Sequence, residues 1–139
     1  MDIHLETHDE FKKLSLENIS NWGDGEFACD AVVKSGWITC KQRFYFDRYH
    51  AEAFLQALVR MYTSFEGETT LQQEHEMQFI TFLCNKLGQI TVSGELFEDA
   101  IVYQSVKFMF ETDQTVLPGF IEQFELLLGK DGKRPLPDR

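Results

Sequence analysis

The residues able to do chemistry in this chain are four histidines, three cysteines and several closely spaced carboxylates. Metal binding by histidine requires a spacing such as H-x-x-x-H on one helix face, with a third ligand behind it. His4 and His8 lie near the amino terminus, His50 opens a helical pattern, and His75 stands between Glu74 and Glu76 in an acidic loop. None has that context, and all four read as surface histidines. Cys29, Cys40 and Cys84 are odd in number, fit no zinc or disulfide spacing, and sit among apolar neighbours in strand-like runs. There a thiol behaves as a small hydrophobe, and a reducing compartment suits it.

General acid–base catalysis requires one carboxyl with a pKa raised by apolar burial beside a second that stays ionised. The pairs Glu66/Glu68, Glu74/Glu76, Glu98/Asp99 and Glu111/Asp113 fall instead in polar, turn-like stretches. Nucleophile-elbow, Walker and dinucleotide-binding motifs are missing, and no helical pattern follows Gly23-Asp24-Gly25. No catalytic residue, metal site or cofactor is therefore expected.

Recognition is the remaining chemistry. Trp37 and Tyr45 alternate with Lys41 and Arg43 along one strand, which superficially resembles a single-strand nucleic-acid platform. The net charge of −10 opposes that reading and opposes anionic lipid. Trp, Tyr and Arg are also the residues that dominate protein contacts. The excess acid is uneven: residues 66–125 hold 11 acids and 2 bases, whereas residues 31–65 carry a balance of +3. Glu66, Glu68, Glu74, Glu76, Glu95, Glu98 and Asp99, with Trp37 and Tyr45, are thus the candidate contact residues for a cationic protein partner.

The elements that must position these residues are read from hydrophobic period. With 139 residues, 13 of them Phe, the chain can bury one core. One domain is expected over 1–129, followed by a basic, proline-containing tail at 130–139. Phe27, Cys29, Ala31 and Val33 alternate in one strand, Ser35-Gly36 reads as a hairpin turn, and Trp37–Phe46 forms the next. At Asp47, a potential N-cap, the period becomes helical, with Ala51, Phe54, Leu55, Leu58 and Tyr62 on one face up to Gly67. Met77–Cys84, Gln89–Phe97 and Ile101–Glu111 read as three further strands. Pro118 then opens a helix that stops at Gly129. These elements predict an α+β fold, with a single antiparallel sheet of five to six strands (order β-β-α-β-β-β-α) and two helices packed on it. Phe54, Leu58, Phe108, Phe110, Phe120 and Phe124 are expected to meet in its core. The amino terminus lacks a basic, then apolar, leader, and no apolar run could span a bilayer. A cytoplasmic protein is expected.

The run Phe108-x-Phe110-x-x-Asp113-Gln114-Thr115-x-Leu117-Pro118 resembles a signature of the WapI-type family of small bacterial proteins. Trp22-x-Asp24-Gly25, Gly36, Phe54-x-x-x-Leu58, Gly67 and Gly88-x-Ile90-x-Val92-x-Gly94-x-Leu96 agree in order, so the resemblance covers roughly residues 20–128. It implies an immunity protein that neutralises the toxic domain of a bacterial competition toxin, and the acidic composition favours a cationic nuclease as that partner. Such a protein would act without catalysis, as a monomer or weak dimer. The alternative is a small-ligand or regulatory module, with a pocket between sheet and helices.

With no ligand spacing for a metal, chelator should leave the unfolding midpoint of the purified protein unchanged. A sharp drop, with stoichiometric metal by elemental analysis, would show a site that the spacing does not reveal.

Overall fold

Alternating apolar residues make strands here, but they assemble into two sheets. A computed structural model describes residues 1–73, 75–98 and 103–129. The first sheet is an antiparallel meander of β1 (Ile3–Leu5), β2 (Lys12–Asn21), β3 (Glu26–Ser35) and β4 (Ile38–Asp47). Helix α1 (Arg48–Ser64) follows, then a second meander of β5 (Gly67–Leu71), β6 (Phe79–Cys84), β7 (Gln89–Glu98) and β8 (Gln104–Asp113). A short 3-10 turn, Gln114–Val116, leads into α2 (Leu117–Leu127). The order is thus four strands and a helix, twice, and it corrects the expected single sheet. The period missed β1 and β5 for physical reasons. β1 has three residues, and β5 (GETTL) buries only Leu71. In β2 the register slips between Glu17 and Ser20, where Asn18 takes φ 53, and Leu14, Ser15 and Leu16 are all buried. Such a bulge removes the alternation that identifies a strand. The hairpin turn also moves by one residue. Ser35 pairs with Ile38, so Gly36 and Trp37 form the turn and Trp37 stands at its tip.

Both helices start where their sequences predict, but α1 stops at a left-handed Phe65 and not at Gly67, which opens β5. Asp47 Oδ1 accepts a hydrogen bond from the His50 N–H at 2.7 Å, capping α1. Phe65 ends that helix in a left-handed conformation, its N–H donating to the Met61 carbonyl at 3.1 Å. Pro118 lies in the first turn of α2, and Gly129 follows with φ 74. The family-like segment proves to be a joint. Asp113 accepts from the Thr115 N–H at 2.9 Å and from its hydroxyl, bonds that hold the Asp113 carboxyl below the usual carboxylate range. The Gln114 N–H donates to the Gly88 carbonyl at 2.9 Å, and its side chain lies over Gly88 where a Cβ would collide with Oε1. Gly94 is constrained likewise, because a Cβ would overlap the Phe79 carbonyl oxygen and lie 2.8 Å from Phe108 Cζ. The two glycines of the Gly88–Leu96 motif and the D-Q-T element therefore fit against their neighbours.

One continuous apolar core contains all six residues expected there. Phe124 of α2 meets Phe46 of β4 (6.4 Å between ring centroids), Phe54 of α1 (5.7 Å) and Phe120 (5.1 Å). Phe82 of β6 joins through Phe54 and Phe120, and Phe27 of β3 through Phe46. Polar groups lock the edges. Gln123 of α2 accepts from the His4 N–H (2.7 Å) and donates to the His4 carbonyl (2.9 Å), satisfying the backbone of edge strand β1. Arg48 donates to the Leu128 carbonyl at 2.7 Å, at the end of α2.

Replacing Phe124 with Ala should lower stability by about 3–5 kcal/mol, a large part of the roughly 5–15 kcal/mol typical of a domain. Gly94→Ala should cost about 1–3 kcal/mol through overpacking. Urea denaturation checks both, and an unchanged midpoint for either would contradict the packing described.

Candidate functional site

The space between sheets and helices is filled by phenylalanine rings, so recesses occur on the outside. Two of them share a wall. The β2–β3 turn supplies its first part: Gly23, Asp24 and Gly25 all have positive φ, and the Arg48 N–H fixes the turn by donating to the Gly25 carbonyl at 2.8 Å. Trp22, at the base of this turn, packs edge-on against Tyr45 of β4 (5.6 Å, 62°). The Arg43 guanidinium lies 5.8 Å from the Trp22 ring centroid and 3.7 Å from Asp30. Asn18 holds the other Asp30 oxygen at 3.1 Å.

The opposite wall is the connection from β5 to β6. There the Glu76 N–H donates to the Gln73 carbonyl (3.0 Å), and Gln72 Nε2 to the Glu76 carbonyl (2.8 Å). His75 takes φ 68 in this loop. Gln78 anchors it: its Nε2 donates to the Arg43 carbonyl at 2.8 Å and its Oε1 accepts from the Phe97 N–H at 3.0 Å. A nearly buried amide thus ties β4 to β7 and satisfies both of its own ends. Gln42 adds a second tie by donating to the Phe97 carbonyl.

Between these walls lie a groove of about 630 Å³ and a recess of about 430 Å³, both bordered by Tyr45 and Glu76. Arg43, His75, Met77, Phe97, Glu98 and Tyr103 line the groove, whereas Trp22, Asp24, Glu26 and Gln73 line the recess. Met77 and Tyr103 remain 60% and 55% exposed. Aromatic rings, a thioether and carboxylates thus surround these two adjoining depressions.

Of the candidate contact residues, Tyr45, Glu76 and Glu98 come together here. Trp37 does not; 92% exposed, it stands at the tip of the β3–β4 hairpin. Glu66 precedes β5, Glu68 lies on β5 opposite Leu83, and Glu95 stands on β7 between Phe79 and Lys107. Glu74 and Asp99 lie outside the described residues, as does the basic tail. Trp22, Asp24, Glu26, Met77, Phe97 and Tyr103, which the sequence did not single out as contact candidates, line the same two depressions. The Trp-x-Asp-Gly turn was the visible signal for the first two.

His50 Nδ1 lies 2.8 Å from the Asp47 carboxylate, and His8 Nε2 lies 3.4 Å from Thr115 Oγ1. Among the described residues no group of three His, Cys, Asp or Glu side chains could hold a metal, and no helix is long and apolar enough to cross a membrane. Burial pushes the Cys29 thiol up to about 12; the Asp30 charge adds to the shift and Arg43 opposes it.

The fold is of the α+β class, two four-stranded antiparallel sheets with two helices. A model of the immunity protein WapI-like family matches residues 3–130, and the chain belongs to that family. No curated protein matches it. Among solved structures, a chain from crystal structures of Trypanosoma bruciei MRP1/MRP2 is 14% identical, with 96% of this chain and 87% of that chain covered at a TM-score of 0.48. At that distance it informs neither the site nor the function.

Iodoacetamide at mildly alkaline pH should leave Cys29 unmodified in the native protein and alkylate it once urea unfolds the chain. Mass spectrometry checks this, and rapid native labelling would contradict its burial.

Proposed function

We propose that this protein is an immunity-type inhibitor that binds a cognate bacterial toxin domain stoichiometrically and neutralises it without catalysis, inside the cell that makes both. Membership of the WapI-like immunity family carries the reading. The net charge of −10 supports a cationic toxin, such as a nuclease whose surface is built to receive phosphates. The groove at Tyr45, Glu76 and Glu98 supplies half-buried and exposed aromatic and acidic side chains of the kind such a contact uses.

Co-expression with a toxin encoded beside this gene should restore growth, and the purified pair should form a complex of one to one. Opposite charges raise association above the roughly 10⁵–10⁶ M⁻¹s⁻¹ of unsteered docking, so the association rate should fall as salt rises, with a smaller change in dissociation. Growth arrest that persists despite soluble inhibitor would end the immunity reading. Association indifferent to salt would remove the cationic partner.

A further inference from the structure

We infer that the recess beside Trp22 receives an arginine side chain from a basic loop of the partner protein, an assignment that rests on the immunity reading above. Three carboxylates, Asp24, Glu26 and Glu76, border this recess, and no basic side chain lines it among the described residues. Their mutual repulsion favours a cation between them. The two accessible rings on its wall, Trp22 and Tyr45, meet edge-to-face and present a corner rather than a flat apolar patch. A guanidinium stacks on such rings while its planar fork donates to carboxylates, which a lysine ammonium does less well.

Two internal features support this chemistry. The chain already places a guanidinium over Trp22, since Arg43 lies 5.8 Å from that ring centroid with Asp30 as its counter-charge. The pairing of ring, guanidinium and carboxylate is therefore compatible with this surface. Gln73 supplies the second feature. Its Nε2 donates to Glu26 at 3.0 Å, but its Oε1 is shielded and lacks a hydrogen-bond partner, alone in this among the side-chain atoms of the described residues. Buried acceptors are ordinarily satisfied, so an N–H donor reaching this one would complete its hydrogen bonding. The adjoining groove, sharing Tyr45 and Glu76, offers Met77, Phe97 and Tyr103 to apolar residues flanking the arginine. Charge complementarity thus selects the occupant, and the rings give it a place to stack.

The chain has two tryptophans, so Trp37→Phe leaves Trp22 as the sole tryptophan, read selectively by excitation at the red edge of its absorption. Titrating that protein with a short glycine–arginine peptide should shift Trp22 emission saturably, whereas the same peptide with citrulline in place of arginine should not. Glu26→Gln with Glu76→Gln should weaken peptide binding at least tenfold. Glu66→Gln with Glu68→Gln removes the same net charge elsewhere and should leave binding near the parent value. Matching thermal midpoints for both pairs show that neither is unfolded. No saturable shift, an equal response to citrulline, or equal losses in the two pairs would overturn the recess as an arginine site. The toxin assay separates the two readings. If the parent protein protects cells and the Glu26/Glu76 variant protects equally at limiting expression, the recess assignment falls and immunity stands. If the parent protein fails to protect, the immunity reading falls, and with it the toxin as the source of the arginine.

Discussion

The ring of Phe124 is the junction on which the architecture depends. It touches Phe46 from the first sheet, Phe54 from α1 and Phe120 from its own helix, and through these Phe82 of the second sheet. Each four-stranded meander has one apolar face, and neither could bury it alone. A helix from each half, packed against the other, closes the space, and tilted and edge-on ring contacts fix how the parts fit. A cavity here would loosen all four units together, because they share one cluster instead of owning separate cores.

Given that junction, the polar ties fall where the halves meet. Ser35 donates to the Met109 carbonyl and Lys12 to the Glu111 carbonyl, so β8 is held by groups from the first sheet. Gln78 and Gln42 join β4 to β7 at the other end of the contact. The recognition groove lies beside this second set of ties. Its floor is therefore anchored by the sheet-to-sheet contact and one rim comes from the β5–β6 loop, while the glycine-rich turn borders the adjoining recess. Such an arrangement holds contact side chains on a firm base, and a preorganised surface loses less entropy on binding.

Charge alone would make this protein a poor ligand for nucleic acid and an attractive one for cationic surfaces, without saying where contact occurs. The folded chain brings Trp22, Tyr45, Tyr103 and four carboxylates to two adjoining depressions and leaves other acids apart. Glu68 and Glu95 stand on different strands of the second sheet, where they add to the long-range field. Speed of encounter and strength of docking can thus reside in different side chains.

The sequence by itself determined the local elements and the inward face of most of them. Asp47 as a helix cap, the apolar stripes of α1 and α2, the alternation in β3 and β7, and the six core residues all follow from short-range period and capping chemistry. Tertiary structure alone decided that eight strands form two sheets, because hydrophobic period reports that one face of a strand is buried and not which strand pairs with it. It also made strands of Ile3–Leu5 and Gly67–Leu71, segments too short or too polar to announce themselves. The recess was illegible for the same reason. Trp22, Glu26, Tyr45, Gln73 and Glu76 are separated along the chain, and only the pairing of β2, β3 and β4 with the loop seated against them brings those side chains to one place.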